Sequence, residues 1–298
     1  MNKTGMKKYI NIIITTLILA GCTERIDIKV DNTYKRLVVD GCITTDTTKH
    51  RVKLTTTSDY FYNQPSPPVT GADVRISDGS KVFLLAESAT EPGVYETTAD
   101  VYGEIGKTYI LSIANVDVND DKEIELYTAE SRINPVSPID SIKLFYTALG
   151  PDSVFAIMVY AQDPPTTEFY VFKASINGVL AHEKATDLWI QDDVLFNGNY
   201  TNGIWSQFLF QSGPTKRPEE HVAPGDIVTF ERNSITKDYY SFLAELQSNA
   251  YYNPIFRGPP ANTRSNVSNG AIGYFSAYSI ARCNRVVPAK PWILDYPY

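Results

Sequence analysis

Residues 72–85 read ADVRISDGSKVFLL. Two short runs of alternating apolar and polar side chains flank an Asp78-Gly79 pair. Alternation with a period of two marks a half-buried strand. Asp-Gly supplies the positive φ that a tight hairpin turn needs. The stretch predicts an antiparallel hairpin, and the same pattern recurs on both sides of it.

Toward the N-terminus, Leu37-Val38-Val39-Asp40-Gly41-Cys42-Ile43 is β-rich and His50-Arg51-Val52-Lys53-Leu54-Thr55 alternates as a strand should. Between them and the hairpin, SDYFYNQPSPPVTG at 58–71 carries Pro65, Pro67 and Pro68, which exclude helix and central strand alike. Toward the C-terminus, Glu91-Pro92-Gly93 predicts a turn before Val94–Thr97, and Lys107–Ile113 and Glu123–Thr128 read as further strands. About seven strands with turn signals every 8–15 residues predict an antiparallel sandwich. Their order resembles the immunoglobulin-like or transthyretin-like modules of bacterial surface proteins.

Asn134-Pro135-Val136-Ser137-Pro138 reads as a stiff linker. Beyond it, 140–146, 154–160 and 169–176 are strand-like, and Ala156–Val159 is apolar on both faces, as in a central, doubly covered strand. Asn177-Gly178 predicts another hairpin. Residues 183–203 look like an acidic loop, and 204–210 and 226–230 restore the strand pattern. One helix is expected, capped by Thr236 and running through KDYYSFLAELQSNA, with Tyr239, Phe242, Leu243 and Leu246 on one face. A last strand is expected at 271–279.

The fold expected is therefore mainly β: two antiparallel β-sandwich-like domains, the N-terminal one immunoglobulin- or transthyretin-like, with one helix in the second. Its partition is a signal peptide at 1–21, a tether at 22–36, the first sandwich at 37–132, a linker at 133–139, the second domain at 140–287 and an extended tail at 288–298.

The N-terminus carries the clearest functional signal. Residues 6–22, MKKYINIIITTLILAGC, place two lysines before a short apolar core and a small-residue cleavage site. Cys22 directly after Ala20-Gly21 resembles the lipobox of bacterial lipoproteins, in which that thiol is acylated and becomes the first residue. Burying acyl chains contributes about 0.8 kcal/mol per methylene, so two or three chains hold a domain on a membrane. The leader contains Lys3, Lys7 and Lys8 and no acid, so the formal charge of -7 becomes about -10 without it. That acidic balance speaks against a nucleic-acid partner. Cys42 and Cys283 remain, and two buried free thiols are expected ahead of a disulfide.

Catalytic chemistry is not legible. His50, His182 and His221 are dispersed, and no G-x-S-x-G elbow, H-E-x-x-H helix, P-loop or Rossmann fingerprint occurs. Glu219-Glu220-His221 reads as a solvated charge run. Asp192 and Asp193 with Asn197 and Asn199 offer oxygen ligands of the kind calcium takes, but at the spacing of no calcium loop. No metal and no cofactor is predicted. Candidate binding loops are Tyr60-Phe61-Tyr62, Tyr251-Tyr252, and the amide-rich loop holding Asn262, Arg264, Asn266 and Asn269. Each has a structural alternative, rings closing a core and amides satisfying their own backbone, and that alternative is the preferred one.

The lipobox, LVVDGCIT, PVTGADVRISDG, NPVSPIDSI, FYVFKASING, SITKDYYSFLAELQ and PPANTRSNVSNGAIGYFSAYS together resemble the domain-of-unknown-function family 4249 of Bacteroidota lipoproteins. The resemblance covers nearly the whole chain after the leader. It implies a lipid-anchored protein of the cell outer membrane, an accessory component near a TonB-dependent transporter, with the membrane face left open and no enzymatic activity. A carboxylate-based hydrolase of the envelope, which requires two buried acids in a cleft, or a structural envelope factor are the alternatives.

Overall fold

Alternation in LVVDGCIT puts Leu37, Val39, Gly41 and Ile43 on the buried face of β1 (Leu37–Thr44). This strand is where the two halves of the chain meet. One edge pairs antiparallel with β2 (Arg51–Thr56), and the other runs parallel to the first half of β15 (Ile272–Val286), from Val38 opposite Ile272 to Thr44 opposite Tyr278. The computed structural model describes residues 35–58, 65–118, 122–212, 220–250 and 263–288. All of them belong to one compact unit that begins at Lys35. The expected signal peptide, most of the tether and nearly all of the tail lie outside the described residues.

The hairpin expected from ADVRISDGSKVFLL is present as β3 (Asp73–Ser77) and β4 (Val82–Glu87). Its loop is wider than a two-residue turn, because Ser77 pairs with Val82 and Gly79 alone within the loop has positive φ, +86°. The Asp78 carboxylate accounts for the difference. It accepts the N–H groups of Ser80 at 2.9 Å and Lys81 at 2.6 Å, alongside one backbone hydrogen bond from Asp78 N–H to Lys81 O at 3.1 Å. β5 (Val94–Glu96), β6 (Thr108–Val116) and β7 (Glu125–Arg132) complete the order β15-β1-β2-β5-β4-β3-β6-β7. Leu37, Val39, Ile43, Leu54, Ile76, Leu111 and Phe275 pack together at zero exposure. Each such side chain contributes about 1.5–3 kcal/mol relative to its exposed state.

In the second half, β8 (Ser141–Leu149), β9 (Asp152–Tyr160) and β13 (Ile204–Ser212) form a small sheet in the order β13-β9-β8. β9 lies at its centre, which is why its run of apolar residues is buried on both faces. β10 (Phe169–Ile176), β11 (Val179–Leu180), β12 (Trp189–Asp192) and β14 (Ile227–Ile235) join the large sheet beyond β15. Asn177 and Gly178, with φ of +51° and +85°, close the β10–β11 hairpin as expected.

Three layers result. Ile142, Leu144, Ile157 and Val159 of the small sheet pack on Tyr170, Phe172 and Phe230 of the large one. Val171, Ile235 and Tyr278 point the other way and meet Leu243 of α1 (Lys237–Ala250). The helix starts where expected, with Thr236 Oγ1 accepting the Tyr239 N–H at 3.2 Å. It is the one α-helix among the described residues, and none of them is long and apolar enough to cross a membrane.

The mainly β architecture with a single helix holds, but three local expectations change. The last strand runs to Val286 rather than 279, because its second half pairs antiparallel with β14. Ala271, Phe275 and Ala277 thereby enter the first core while Cys283 and Val287 pack at the second, so β15 crosses the expected division at 133–139. Pairing is also not wholly antiparallel, since β1 and β15 run side by side in one direction. Within the expected loop at 183–203, β12 pairs with β10, Trp189 opposite Phe172 and Asp192 opposite Phe169, after a 3-10 turn at Ala185–Asp187. Cys42 and Cys283 are free. Cys42 stands opposite Ser276, and Cys283 lies seven residues further along β15, about 23 Å at strand rise.

Candidate functional site

The helix face picked out by its spacing does two jobs. Leu243 is fully buried against the sheet, while Tyr239, Phe242 and Leu246, one turn apart along α1, leave a cleft of roughly 590 Å³ between the helix and the β1/β15 pair. Ile272, Gly273 and Tyr274 at the start of β15 and Val38 and Val39 of β1 form the opposite wall. Three rings meet there. Tyr274 lies 4.9 Å from Tyr239 and 5.0 Å from Phe242 between ring centroids, and Tyr239 and Phe242 stack at 6.0 Å. Loss of hydration pushes the Tyr239 and Tyr274 phenols above the usual tyrosine range, so both stay neutral donors. Asp40 and Arg36 give the rim one charge of each sign. Arg36 is steadied by donating its Nε to the Gly270 carbonyl at 2.6 Å.

Gly273 makes the floor possible. Its φ is +92°, and a Cβ there would lie 2.0 Å from the Val39 carbonyl oxygen. Only glycine lets the two backbones approach so closely with this geometry.

Of the residues predicted from sequence, Cys22, Tyr60, Phe61, Tyr62, Tyr251, Tyr252 and Asn262 lie outside the described residues. Arg264 is tied to α1 by a two-pronged pair with Glu245 at 2.8 and 2.6 Å, which holds that carboxyl below its usual range. Asn266 spends its amide on backbone, donating to Phe275 O at 2.8 Å and Glu130 O at 2.9 Å and accepting from Phe275 N at 3.0 Å. Asn269 sits at φ +55° in an exposed turn. This loop is framework, and it borders the cleft through Thr263. Two of the three cleft rings, Tyr239 and Phe242, were legible as part of an apolar helix face, whereas Tyr274 on β15 was not.

Glu220 turns away from the charge run and pairs with His182, Nε2 to Oε1 at 2.8 Å, while His182 Nδ1 faces Gln207 Nε2 at 3.2 Å. Both ring nitrogens are thus engaged by side chains of the protein itself. His182 lines a second cleft with Glu183, Lys184 and Asp187.

One group of side chains was not legible as a group in the sequence. Asp163, Glu168 and Asp193 each bring a carboxylate oxygen within 4.8 Å of the others. Asp163 and Asp193 have zero exposure. The Tyr170 hydroxyl sits between Asp163, at 2.9 Å, and Glu168, and Asp193 accepts the Glu168 N–H at 2.8 Å. Desolvation pushes the Asp163 and Glu168 carboxyls up, opposed in part by the Tyr170 hydroxyl. Asp193 had been singled out in sequence for its neighbours Asn197 and Asn199, but its carboxylate partners lie on a different loop.

A family profile described as "Domain of unknown function (DUF4249)" matches residues 23–283, a span that includes the aromatic cleft, the His182 pair and the carboxylate group. No curated protein matches the chain.

Proposed function

The chain belongs to the DUF4249 family, and from that premise we propose that it is a lipid-anchored, non-enzymatic binding protein of the outer membrane that serves as an accessory to a TonB-dependent transporter. The observation that carries the binding role is the cleft between α1 and the β1/β15 pair, with three clustered rings inside and Asp40 and Arg36 at its rim. An apolar wall with a few polar groups at the edge suits a peptide segment or a small ligand. The lipobox supports the anchor. Tethering at Cys22 confines protein and partner to one plane, so a weak contact gains effective concentration.

The hydrolase alternative draws on the buried acids of the carboxylate group. Asp163 and Asp193 have zero exposure, and neither cleft described above is lined by them. A substrate would reach them only after the surrounding loops opened.

The test is recovery of the protein from solubilised outer membrane, with mass spectrometry of what accompanies it. A transporter barrel should co-purify with the wild type and be lost with Phe242→Ala, while Cys22→Ser should move the protein to the soluble fraction. Retention of the same partner by Phe242→Ala, or membrane fractionation unchanged by Cys22→Ser, would refute the corresponding half of the reading.

A further inference from the structure

Two connections pass side by side from one sheet to the other in the second half of the molecule. Residues 161–168 lead from β9 in the small sheet to β10 in the large one, and 193–203 lead from β12 in the large sheet back to β13. They are joined by backbone: Asp163 N–H donates to Asn199 O at 3.1 Å, Gly198 N–H to Pro164 O at 3.1 Å, and Gln162 bridges to Tyr200. Asp163 and Glu168 come from the first connection and Asp193 from the second.

Clustering alone would not mark a site. The second observation is that Asp163 Oδ2 and Asp193 Oδ1, on side chains with zero exposure, have no hydrogen-bond partner among the described residues. Burying an anionic oxygen without a partner costs several kcal/mol, and placing two such groups side by side adds repulsion. One buried cation eases this only in part. Arg232 hydrogen-bonds to Ser137 O at 2.6 Å and Pro138 O at 3.2 Å, and lies 5.3 Å over the Tyr170 ring. Its charge favours the ionised Asp163 and Glu168 carboxyls, but it is one cation beside three acidic groups.

We propose that Asp163, Glu168 and Asp193 form a calcium site that clasps the two sheet-to-sheet connections together. The donor set is all oxygen, with no imidazole or thiolate, which selects a hard cation. Coordination habit chooses between the common ones: calcium accepts irregular shells of about six to eight oxygens, whereas magnesium demands a near-ideal octahedron and keeps most of its waters. The three carboxylate oxygens lie within 4.8 Å of one another, a spread that one calcium ion can bridge. Three carboxylates leave roughly three to five positions of a calcium shell for carbonyl or water oxygens. The Tyr170 hydroxyl lies within hydrogen-bond reach of two of the ligands, Asp163 and Glu168, and holds them by sharing its one proton between them.

Terbium, a luminescent stand-in for calcium, tests this on the chelator-treated protein. Excitation of Tyr170 should sensitise emission that saturates at about one ion per chain, that calcium displaces, and that magnesium at the same concentration does not. Asp193→Asn should weaken calcium binding at least tenfold, whereas Asp192→Asn, whose carboxylate lies on the Tyr240 side of β12, should leave it unchanged. The wild type alone gives a second reading that does not depend on a variant folding: its thermal midpoint should fall on adding a calcium chelator and return with calcium. Absence of saturable calcium binding, equal affinity in Asp193→Asn, or stability that rises with acidification and ignores calcium would overturn the proposal. The last result would mean that a proton, not a metal, relieves the buried charge.

Discussion

Asn266 and Phe275 bond as residues of neighbouring strands do, although one of them uses its side chain. Asn266 Oδ1 accepts the Phe275 N–H at 3.0 Å and its Nδ2 donates to Phe275 O at 2.8 Å, while a second Nδ2 hydrogen bond reaches Glu130 O at 2.9 Å. A single amide thus fills the place of a missing strand between β7 and β15. Asn266→Ala should cost about 1–3 kcal/mol, because it strands partly buried backbone groups without partners. Asn266→Asp should cost as much or more, since a carboxylate would face two carbonyl oxygens. Urea unfolding of the two variants measures both.

Gly273→Ala should be among the most damaging single-atom-scale changes in the chain. The new Cβ would stand 2.0 Å from the Val39 carbonyl oxygen at a backbone φ of +92°, and neither backbone can move without breaking the β1–β15 pairing. A loss of at least about 3 kcal/mol is expected, a large fraction of a typical domain's stability. Thermal denaturation followed by circular dichroism would read it, and a midpoint within a few degrees of wild type would contradict the argument.

Asp78 gives the protein an acid-sensitive hairpin. Its carboxyl is held far below the usual range, chiefly by Lys107 at 2.8 Å and then by the Lys81 N–H. A depressed folded-state value means that the stabilisation is complete above the unfolded-state value, about 3.9, and is lost as the pH falls below it toward the folded-state value. Asp78→Asn should therefore flatten the fall in stability between about pH 4 and pH 2 while lowering stability at neutral pH by about 1–2 kcal/mol through weaker turn hydrogen bonds. Denaturation midpoints across that range test the sign.

Arg232 connects the expected linker to the core, through Ser137 O and Pro138 O, from a position 2 % exposed. Arg232→Met keeps the stem's packing but removes both hydrogen bonds and the charge over Tyr170. It should cost about 2–4 kcal/mol and speed hydrogen exchange of the amides at 139–142 without a matching change in β3–β4. Uniform acceleration across both regions would mean that Arg232 acts on global stability alone.

Much of the fold was legible wherever the deciding interactions are local. Asn177-Gly178 closes a hairpin because both residues accept positive φ. Thr236 starts α1 because its hydroxyl reaches an N–H three residues on. β12 was not legible, because WIQD is only four residues long, sits in an acidic stretch and becomes a strand by pairing with β10. The far half of β15 was hidden for the same reason, its IARCNRV gaining strand structure from β14. The aromatic cleft was half legible: the helix face showed in the spacing of Tyr239 and Phe242, but the facing Tyr274 and the glycine floor did not.

By itself the sequence determined the mainly β character, the single helix, the family to which the chain belongs and most strand positions, since alternation, turn residues and caps act within a few residues of one another. It also carries the Leu19-Ala20-Gly21-Cys22 run, similar to a lipobox, on which the proposed anchor rests. Tertiary structure alone decided that β15 runs parallel to β1 and spans both cores, that Phe242 meets Tyr274, and that Asp163 and Glu168 stand beside Asp193 on the neighbouring connection. Those contacts join residues tens to hundreds of positions apart, and their burial and charge exist only after the sheets have packed, so no local pattern could encode them.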